Sequence, residues 1–396
     1  MKPIAYGIDF GTTNSVLAVA YPNDIEVMPG FPTQLLRSAV YLHRRGTRTA
    51  GEDAIRQFLT RPDVDDARLL LELKATLSDE LLDVVDVFGH QRRLEWLVAI
   101  VLSYLKLVAD RATGQNVRRV VLGFPVAFPD TRGPKFADRQ SLALERLCEA
   151  ANQAGFDDVV PLEEPAAAAS GEDAELYAAL DFGGGTFDVA IVEGGEEPRV
   201  LALTGTAIGG EELTARLFRH KLTPVLGLDH PRMPARITLA TTSLHRVLAA
   251  LFDDDLPQDV LREFAPPFAD ILKGGFLYDL YQAVEEAKIR LSSQEQTTIE
   301  LRRRGVELSV PVARAEFEAV IAHQLDETIA ELDRALELAG VAANDLELVT
   351  LTGGSSRIPA FQQRVRDRLP AARLVTRDPY ALVASGLAAQ AQEVDW

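Results

Sequence analysis

The chain has 396 residues, 47% of them hydrophobic, which is enough to bury one or two sizeable cores, so we expect two lobes. Its formal net charge of −18 argues against nucleic acid or an anionic membrane as the main partner. The single cysteine, Cys148, permits no internal disulfide and is typical of a reducing compartment. A strand-like segment begins almost at once, without a signal-peptide pattern, so the expected location is cytoplasmic.

The first half of the chain changes pattern several times. Residues 4–50 alternate apolar and polar positions between glycine turns, which predicts a meander of strands. Residues 52–113 have a helical pattern with a loop at residues 73–82 inside it, and the apolar part from Leu94 to Ala109 is too short to span a bilayer, so it predicts a core helix. Residues 118–128 predict a buried strand, and a helix is expected from Asp138 to Ala154.

The second half begins with a strand–turn–strand unit, residues 176–195, that resembles the first strands of the chain. This duplication predicts two related halves. The elements expected after it are helices from about Glu211 to Leu291, strands from Thr297 to Val312, helices from Arg314 to Ala339, and a last helix from Pro359 to Leu369.

Three glycine-rich turns, each after an apolar strand-like run, are the most informative motifs. They are residues 9–15 (DFGTTNS), 181–188 (DFGGGTFD) and 351–357 (LTGGSSR). In the first two, an aspartate near the strand end precedes glycines, which let a backbone approach a ligand closely, and then hydroxyl side chains.

The chemistry of these turns suits phosphate. Backbone N–H groups and threonine hydroxyls can bind phosphate oxygens, while two aspartates can hold a hydrated Mg²⁺ that offsets the phosphate charge. The turns do not match the Walker A pattern or the dinucleotide-binding glycine pattern. The sequence therefore predicts a nucleotide site built from the three turns.

Several segments carry a resemblance to a known family. They read GIDFGTTNS, GFPVAF, EEPAAAA, LDFGGGTFDV, IGGEEL, VEEAKIRLSS and LTGGSSRIP, in that order from residue 7 to residue 359, and the resemblance extends from residue 4 to about residue 386. The chain resembles the ATPase domain of the DnaK-type heat-shock chaperones of the 70 kDa class. That resemblance implies an α/β protein of the actin-like ATPase fold, with two lobes that each have a duplicated β-sheet/helix core and an added subdomain.

The resemblance also implies domain boundaries. Lobe I is expected at residues 1–171, with its core at 1–38 and 116–171 and a subdomain at about 39–115. Lobe II is expected at residues 172–382, with its core at 172–210 and about 323–382 and an enlarged subdomain at about 211–322. Residues 383–396 are expected to be a C-terminal tail with no peptide-binding domain after it, as in the short members of the family.

The matched motifs assign the phosphate site. By resemblance, Thr12 and Thr13 contact phosphate oxygens, and Asp9 and Asp181 hold Mg²⁺ through its waters, with K⁺ as a further candidate ion. The other residues implied to bind the phosphates of ATP or ADP are Gly11, Asn14, Gly183, Gly184, Gly185, Thr186, Gly209 and Gly210.

The expected catalytic residues are Lys74, Glu164, Thr186 and Asp188. A lysine that reaches the terminal phosphate supplies positive charge, and a nearby carboxylate can orient the attacking water. Lys74 matches the catalytic lysine of the family, with Arg68 as the competing assignment.

The adenosine end is assigned by resemblance as well. Glu285, Lys288 and Ser292 share one helix face and match ribose and base contacts, and Arg357 matches a residue that stacks on adenine. Gly353, Gly354 and Ser355 form the turn before it. The chain departs from the family at Ile289 and Tyr380, which predicts looser adenine recognition.

The predicted function is a slow, chaperone-like ATPase that acts as a nucleotide-gated interlobe switch without its own peptide clamp. Pro125 and Glu164 lie in the connecting segments that would sense the nucleotide, and Arg139 resembles a relay residue. A separate protein partner or co-chaperone is expected on the lobe II segment 211–281, and the chain is expected to be a monomer. The alternatives are an actin-like filament protein and a sugar-kinase-like phosphotransferase.

Overall fold

The computed structural model of the protein describes residues 1–31, 35–60, 66–128, 136–168, 174–195, 198–244, 246–247, 257–377 and 381–396. The strands in this part of the chain are β1 (Ala5–Phe10), β2 (Asn14–Tyr21), β3 (Asp24–Val27), β4 (Leu36–Arg37), β5 (Val40–His43), β6 (Arg48–Ala50), β7 (Ala67–Leu70), β8 (Val84–Val87), β9 (His90–Arg93), β10 (Arg119–Phe124), β11 (Asp158–Glu163), β12 (Leu176–Phe182), β13 (Phe187–Glu193), β14 (Arg199–Thr206), β15 (Gln296–Arg303), β16 (Val306–Ala313), β17 (Leu348–Thr352) and β18 (Arg373–Thr376). The α-helices are α1 (Gly51–Thr60), α2 (Leu73–Thr76), α3 (Leu94–Thr113), α4 (Phe136–Gln153), α5 (Glu164–Ala168), α6 (Gly210–Val225), α7 (Ala235–Ala240), α8 (Gln258–Phe264), α9 (Pro266–Gly274), α10 (Leu277–Leu291), α11 (Arg314–Val320), α12 (Ala322–Ala339), α13 (Pro359–Arg368) and α14 (Leu382–Glu393).

The chain divides into two compact units. The first unit consists of Met1–Gly210, Glu327–Arg357 and Phe361–Trp396, and the second consists of Glu211–Asp326 and Ile358–Ala360. The first unit contains both large sheets, and the second contains helices and one hairpin.

The two large sheets of the first unit repeat one arrangement. In the first sheet, β1 pairs antiparallel with β2 and parallel with β10, and β11 follows β10. In the second sheet, β12 pairs antiparallel with β13 and parallel with β17, and β18 follows β17. Both sheets add a further antiparallel strand beyond the hairpin, β3 in one and β14 in the other. The internal duplication predicted from the sequence is therefore confirmed.

The central strands are apolar because both of their faces are covered. Nearly every residue of β1 and β12 is buried, as expected for inner strands packed between helices. Helix α14 packs directly on β1, and a Cβ built on Gly7 would lie 2.4 Å from the Ala388 nitrogen. A Cβ on Gly386 would lie 1.9 Å from the Ala167 carbonyl oxygen. Glycine at these two positions allows the close packing of α14 in the core.

Two sequence expectations about this unit are wrong. The segment 52–113 is not helical throughout, because β7, β8 and β9 lie within it as short strands. The expected last helix, which the structure places at Pro359–Arg368, is followed by α14, whose apolar side chains are buried. Helix α14 has many alanines, and its buried and exposed faces differ little in hydrophobicity, so the sequence of this segment shows little helical periodicity.

Helix α3 confirms the expected core helix, extended to Thr113. It ends at Gly114, which has a left-handed φ of 67°, a common helix stop. Its buried Lys106 donates to Asp110 at 2.5 Å and to Asn116 at 2.6 Å, so its charge is paired. Among the described helices, none has the length and apolar character that a membrane crossing requires.

The second unit follows the predicted order of helices, a hairpin and further helices. Its core includes Phe218 and Tyr281, whose rings stack with centroids 4.9 Å apart, and the Tyr281 hydroxyl donates to the Thr241 carbonyl. The hairpin of β15 and β16 extends one residue beyond the predicted strand region at each end, so that prediction is confirmed. The sequence segment 211–322, expected to be an enlarged subdomain, falls inside this unit.

Candidate functional site

The first glycine turn joins β1 to β2 and is fixed by serines. Ser38 donates its backbone N–H to the Thr13 carbonyl at 2.9 Å and its hydroxyl to the Gly11 carbonyl at 2.7 Å. The Ser15 hydroxyl is 2.8 Å from that of Ser38. A Cβ on Gly11 would lie 2.2 Å from the Asn14 carbonyl oxygen, so the turn requires glycine there. Asn14 itself accepts a bond from Arg37 at 3.3 Å.

The second turn joins β12 to β13 in the same way. The Gly183 N–H donates to the Thr186 carbonyl at 3.0 Å, which closes the turn. Behind it, the rings of Phe182, Phe187 and Phe361 pack with centroids 5.0 to 5.7 Å apart, so the turn stands on a buried aromatic cluster.

The two turns touch each other. A Cβ on Gly184 would lie 2.4 Å from the Thr13 hydroxyl, and a Cβ on Gly185 would lie 2.4 Å from the Thr12 hydroxyl. Any larger residue at either glycine would push the threonine hydroxyls away. The structure therefore places the threonines of one turn directly against the glycine backbone of the other.

The other predicted glycine segments meet at the second turn as well. Gly210 donates its N–H to the Gly183 carbonyl at 3.0 Å, and the Ser355 hydroxyl donates to the same carbonyl at 3.0 Å. A Cβ on Gly209 would lie 2.2 Å from the Gly184 oxygen. Gly353 has a φ of 75° and lies against the backbone of Phe182. The three turns, which are far apart in sequence, are thus brought together.

Lys74 lies beside these turns in a buried ion pair. Its Nζ is 2.5 Å from Glu164 Oε1, and both side chains are no more than 5% exposed. Helix α2 carries the lysine, and α5 begins at Glu164. A Cβ on Gly123 would approach the Glu164 Cγ to 3.1 Å, so the small residue on β10 makes room for the carboxylate.

Arg68, the competing assignment, lies elsewhere. It is on β7, its guanidinium is 5.1 Å from the centre of the Phe88 ring, and it donates to the Ala67 carbonyl. The structure thus brings Lys74, and not Arg68, to a site carboxylate.

Three aspartates near the turns have perturbed pKa values. Burial, and then the charge of Glu164, raise the pKa of Asp9 and Asp188 well above the usual range. The same two causes raise the pKa of Asp181 to about 6, although a Thr352 hydrogen bond acts in the opposite direction. Burial lowers the pKa of the Lys74 ammonium, but Glu164 and Asp9 raise it by more. One ammonium therefore faces four carboxyl groups.

This excess of acid suits a cation. Asp188 Oδ2 is buried and has no hydrogen-bond partner among the described residues, so it can accept a further donor. In the described part of the chain, no group of three or more acidic, His or Cys residues is arranged to ligate a metal directly. A magnesium ion that keeps most of its own waters fits such a site better than a fully dehydrated ion does.

Asp188 also makes a contact that the sequence did not reveal. Its Oδ1 accepts the Val126 N–H at 3.0 Å, and a Cβ on Gly205 would lie 2.4 Å from the same oxygen. Gln140 binds this segment from the other side, because its amide nitrogen donates to the Pro125 and Val126 carbonyls at 3.1 and 2.9 Å. Its amide oxygen accepts the Phe128 N–H at 3.0 Å. The only sequence signal was the proline-containing segment itself.

The predicted adenosine residues lie in both units. Arg357 ends a 3-10 helix of the first unit, Gly354–Arg357, with an exposed side chain. Glu285 and Lys288 are half-buried on α10 in the second unit, and Ser292 comes directly after this helix. Ile289 is 58% exposed. Tyr380 lies outside the described residues.

Comparison with known proteins gives this geometry a context. The family model described as "Hsp70 protein" matches residues 62–225 and 251–394, well over half of the chain. Proteins named "Chaperone protein DnaK" from two strains of Halobacterium salinarum, R1 and NRC-1, are each 29% identical to it, over 97% of this chain and 55% of the relative. The chain thus spans about half the length of these curated relatives. It has the actin-like ATPase fold and belongs to the Hsp70 family.

Proposed function

We propose that the chain binds ATP and ADP at the paired glycine turns and hydrolyses ATP slowly. The observation that carries this proposal is the buried Lys74–Glu164 ion pair beside the three site aspartates. A buried lysine with several acidic neighbours and an acid with an unpaired oxygen are unusual in a purely structural core, and perturbed groups of this kind concentrate at functional sites.

The phosphate contacts follow from the turns. Thr12 and Thr13 offer hydroxyls, and Gly184 and Gly185, against which these hydroxyls lie, offer backbone N–H groups. Thr186 is the proposed contact to the terminal phosphate. Gly11, Asn14, Gly209 and Gly210 complete the proposed phosphate site.

Asp9 and Asp181 are the proposed holders of Mg²⁺, through its water ligands. When bound, the ion would neutralise phosphate charge and allow these aspartates to stay ionised. K⁺ remains a second candidate ion for the same acidic environment.

Hydrolysis would depend on Lys74, Glu164 and Asp188. Transfer of a phosphoryl group to water passes through a loose transition state, so the protein contributes mainly position and charge. The Lys74 ammonium would stabilise charge on the terminal phosphate, and Glu164 holds that ammonium in place at 2.5 Å. Asp188 is the proposed residue that orients the attacking water. A single well-placed group of this kind contributes about 2–4 kcal/mol to lowering the barrier.

We also propose that the nucleotide state changes the connecting segment at residues 125–128. Asp188 accepts a bond from Val126, and Gln140 on α4 holds the same segment. A ligand that changes the charge or contacts of Asp188 would thereby alter this connection. Only a difference in affinity between two conformations can supply the energy for such a switch.

The adenosine contacts proposed on family grounds are Glu285, Lys288, Ser292 and Arg357, with the turn of Gly353, Gly354 and Ser355. A chaperone-type role is proposed from the same membership, because the curated relatives are named chaperones. The output would pass to a protein partner, for which the segment 211–281 is the proposed surface.

The test is calorimetry with ATP, ADP and AMP, with Mg²⁺ and with EDTA, followed by measurement of phosphate release in a single turnover. We expect ATP and ADP to bind in a Mg²⁺-dependent way and phosphate to form slowly. An absence of nucleotide binding under all these conditions would overturn the proposal. Binding without phosphate release would restrict it to a nucleotide-sensing role.

A further inference from the structure

An arginine-rich surface lies on the small three-stranded sheet of the first unit. In this sheet, β5 lies between β6 and β7, and Leu42 pairs with both Arg48 and Arg68. Residues directly opposite in antiparallel pairs project from the same face, so the two arginines lie on the Leu42 face. Arg44 lies in the turn after β5, and its guanidinium lies over the same ring, Phe88, as that of Arg68.

Two aromatic rings lie under the guanidinium groups on this face. Arg44 and Arg68 are 5.3 and 5.1 Å from the centre of the Phe88 ring. Arg48 and Arg92 are 5.9 and 5.2 Å from the centre of the Trp96 ring. The set that we call the arginine face consists of Arg44, Arg48, Arg68, Arg92, Phe88 and Trp96.

The backbone conformation of Phe88 is unfavourable for a bulky residue. It lies in the two-residue turn between β8 and β9 with a φ of 55°, followed by Gly89 with a φ of 84°. Such turns favour Asn or Asp at the first position, and a bulky residue with positive φ costs about 1–2 kcal/mol. Phenylalanine at this position places a ring beneath two arginines.

The arginine face is locally positive on an acidic protein. Arg48 and Arg92 are exposed, and neither has an ion-pair partner among the described residues. Arg44 pairs with Asp66 at 2.7 Å. The neighbouring Arg93 is paired with Glu95 at 3.0 Å and is not part of the face. The whole chain has a net charge of −18, so this concentration of positive charge stands out against the rest.

We propose that the arginine face binds an acidic segment of a protein partner. A guanidinium stacked on a ring has restricted motion, so less entropy is lost when it binds a carboxylate in a bidentate pair. A short run of Asp and Glu would match the two exposed guanidinium groups of Arg48 and Arg92 without reaching the acidic remainder of the surface. A nucleic acid is negatively charged along its whole length, so the acidic surface around the arginine face would repel it. Charge complementarity therefore favours a short acidic peptide.

The experiment uses the full chain and a labelled peptide of alternating Asp and Glu, with an Asn and Gln peptide of the same length as its neutral counterpart. Fluorescence anisotropy gives the affinity at low and at high salt. The variant Arg48→Glu/Arg92→Glu reverses two charges of the face. The matched control is Arg111→Glu/Arg304→Glu, which makes the same charge change at two exposed arginines outside it.

We expect the acidic peptide to bind, the neutral peptide not to bind, and salt to weaken the complex because the contacts are exposed. Arg48→Glu/Arg92→Glu should weaken binding at least about tenfold, and the control should change it less than about twofold. Arg48→Lys/Arg92→Lys keeps the charge but loses the bidentate geometry and the stacking on Trp96, so its affinity should lie between those of the parent and of Arg48→Glu/Arg92→Glu. Circular dichroism of the charge-reversed variant checks that it is folded.

Three results would overturn the proposal. The first is equal loss of binding in the control and in the arginine-face variant. The second is tighter binding of a single-stranded oligothymidine than of the acidic peptide. The third is a dimer, seen by sedimentation, that Arg48→Glu/Arg92→Glu dissociates, because the face would then contact a second copy. The assay needs no nucleotide, so its outcome is independent of the proposed ATPase activity.

Discussion

The two large sheets of the first unit have the same strand order but carry different side chains at equivalent positions. In the first sheet, Asp9 is opposite Val16 across the hairpin. In the second, Asp181 is opposite Asp188. The first sheet therefore places one acid at its turn and the second places two.

The contacts around the two turns also differ. Lys74 and Glu164 form their ion pair from elements that follow the first hairpin, and no second pair of this kind is described near the second hairpin. Asp188 instead binds the backbone of Val126. The duplicated scaffold therefore carries different contacts in its two halves: one supplies the paired positive charge of Lys74, and the other binds the Val126 backbone through Asp188. Variants that change one half without the other test this division.

The largest effect is expected on the rate of hydrolysis when the positive charge of Lys74 is removed. Lys74→Ala should slow single-turnover hydrolysis by about a hundredfold, because the lost ammonium acts mainly in the transition state, while ADP affinity should change only a few-fold. Arg68→Ala is the matched control, since its guanidinium lies over Phe88. A full rate in Lys74→Ala would show that the lysine is not catalytic.

Lys74→Ala also leaves Glu164 buried without its partner, which typically costs about 3–5 kcal/mol of stability. The rate should therefore be measured well below the melting temperature of the variant, with circular dichroism to confirm folding. Lys74→Ala/Glu164→Ala should recover part of the lost stability without recovering the rate. Recovery of both would assign the pair a structural role only.

The raised pKa of Asp181, in the second sheet, should make the free energy of unfolding depend on pH. The pKa of Asp181 is raised to about 6, so the folded state holds a proton that the unfolded state releases between about pH 4 and 6. Stability from this group is greatest at low pH and falls as the pH rises through 6. Asp181→Asn removes the buried charge, so without nucleotide or Mg²⁺ it should be more stable than the parent by about 2–3 kcal/mol at pH 7.5.

The measurement is urea unfolding of both proteins in EDTA from pH 4 to 8. The stability difference should be small at pH 4, reach about half of its full value near pH 5, and become constant above about pH 6.5. The control Asp367→Asn, an exposed carboxylate on α13, should show no such trend. A variant that is no more stable than the parent at pH 7.5 would contradict the burial of a charged Asp181.

A smaller effect, on the affinity for ATP, is expected when Asp181 is replaced by alanine. Asp181→Ala should weaken ATP binding at least about tenfold in Mg²⁺, because an acid that holds the hydrated ion is lost, and change it much less in EDTA. Calorimetry under both conditions separates the metal-dependent part. Equal affinities of parent and variant in Mg²⁺ would remove Asp181 from the ion site.

Part of the candidate site can be predicted from the sequence, and part cannot. Asp9, Thr12, Thr13 and the glycines of both turns were predicted from local pattern, because a strand, an acid and glycines follow one another within a few residues. The pairing of Lys74 with Glu164 joins residues 90 positions apart, and only the family resemblance suggested roles for both. No local rule could have joined them, since tertiary packing creates the contact.

The missed features have physical causes of the same kind. The sequence predicts helix where β8 and β9 form a hairpin, because the two strands have only four residues each and their turn is Phe-Gly rather than Asn-Gly. Helix α14 is rich in small residues and packs through Gly386, so it lacks the strong apolar stripe that marks an amphipathic helix. Gln140 was not singled out, because an amide that binds three backbone groups has no sequence signature.

Gln140 provides the smallest and most specific test of the division between the two halves. Gln140→Leu removes the bonds to Pro125, Val126 and Phe128 while keeping similar volume, so the connecting segment should lose its support on the α4 side. We expect the difference in hydrogen exchange between the ATP and ADP states to shrink at residues 125–128, with nucleotide affinity changed by no more than about 1 kcal/mol. Gln153→Leu, on the exposed face of the same helix, is the control and should leave the difference intact. A merely structural role for Gln140 would lower stability and leave the ATP–ADP difference as large as before, whereas loss of that difference at unchanged affinity would identify this segment as the connection that the second sheet uses.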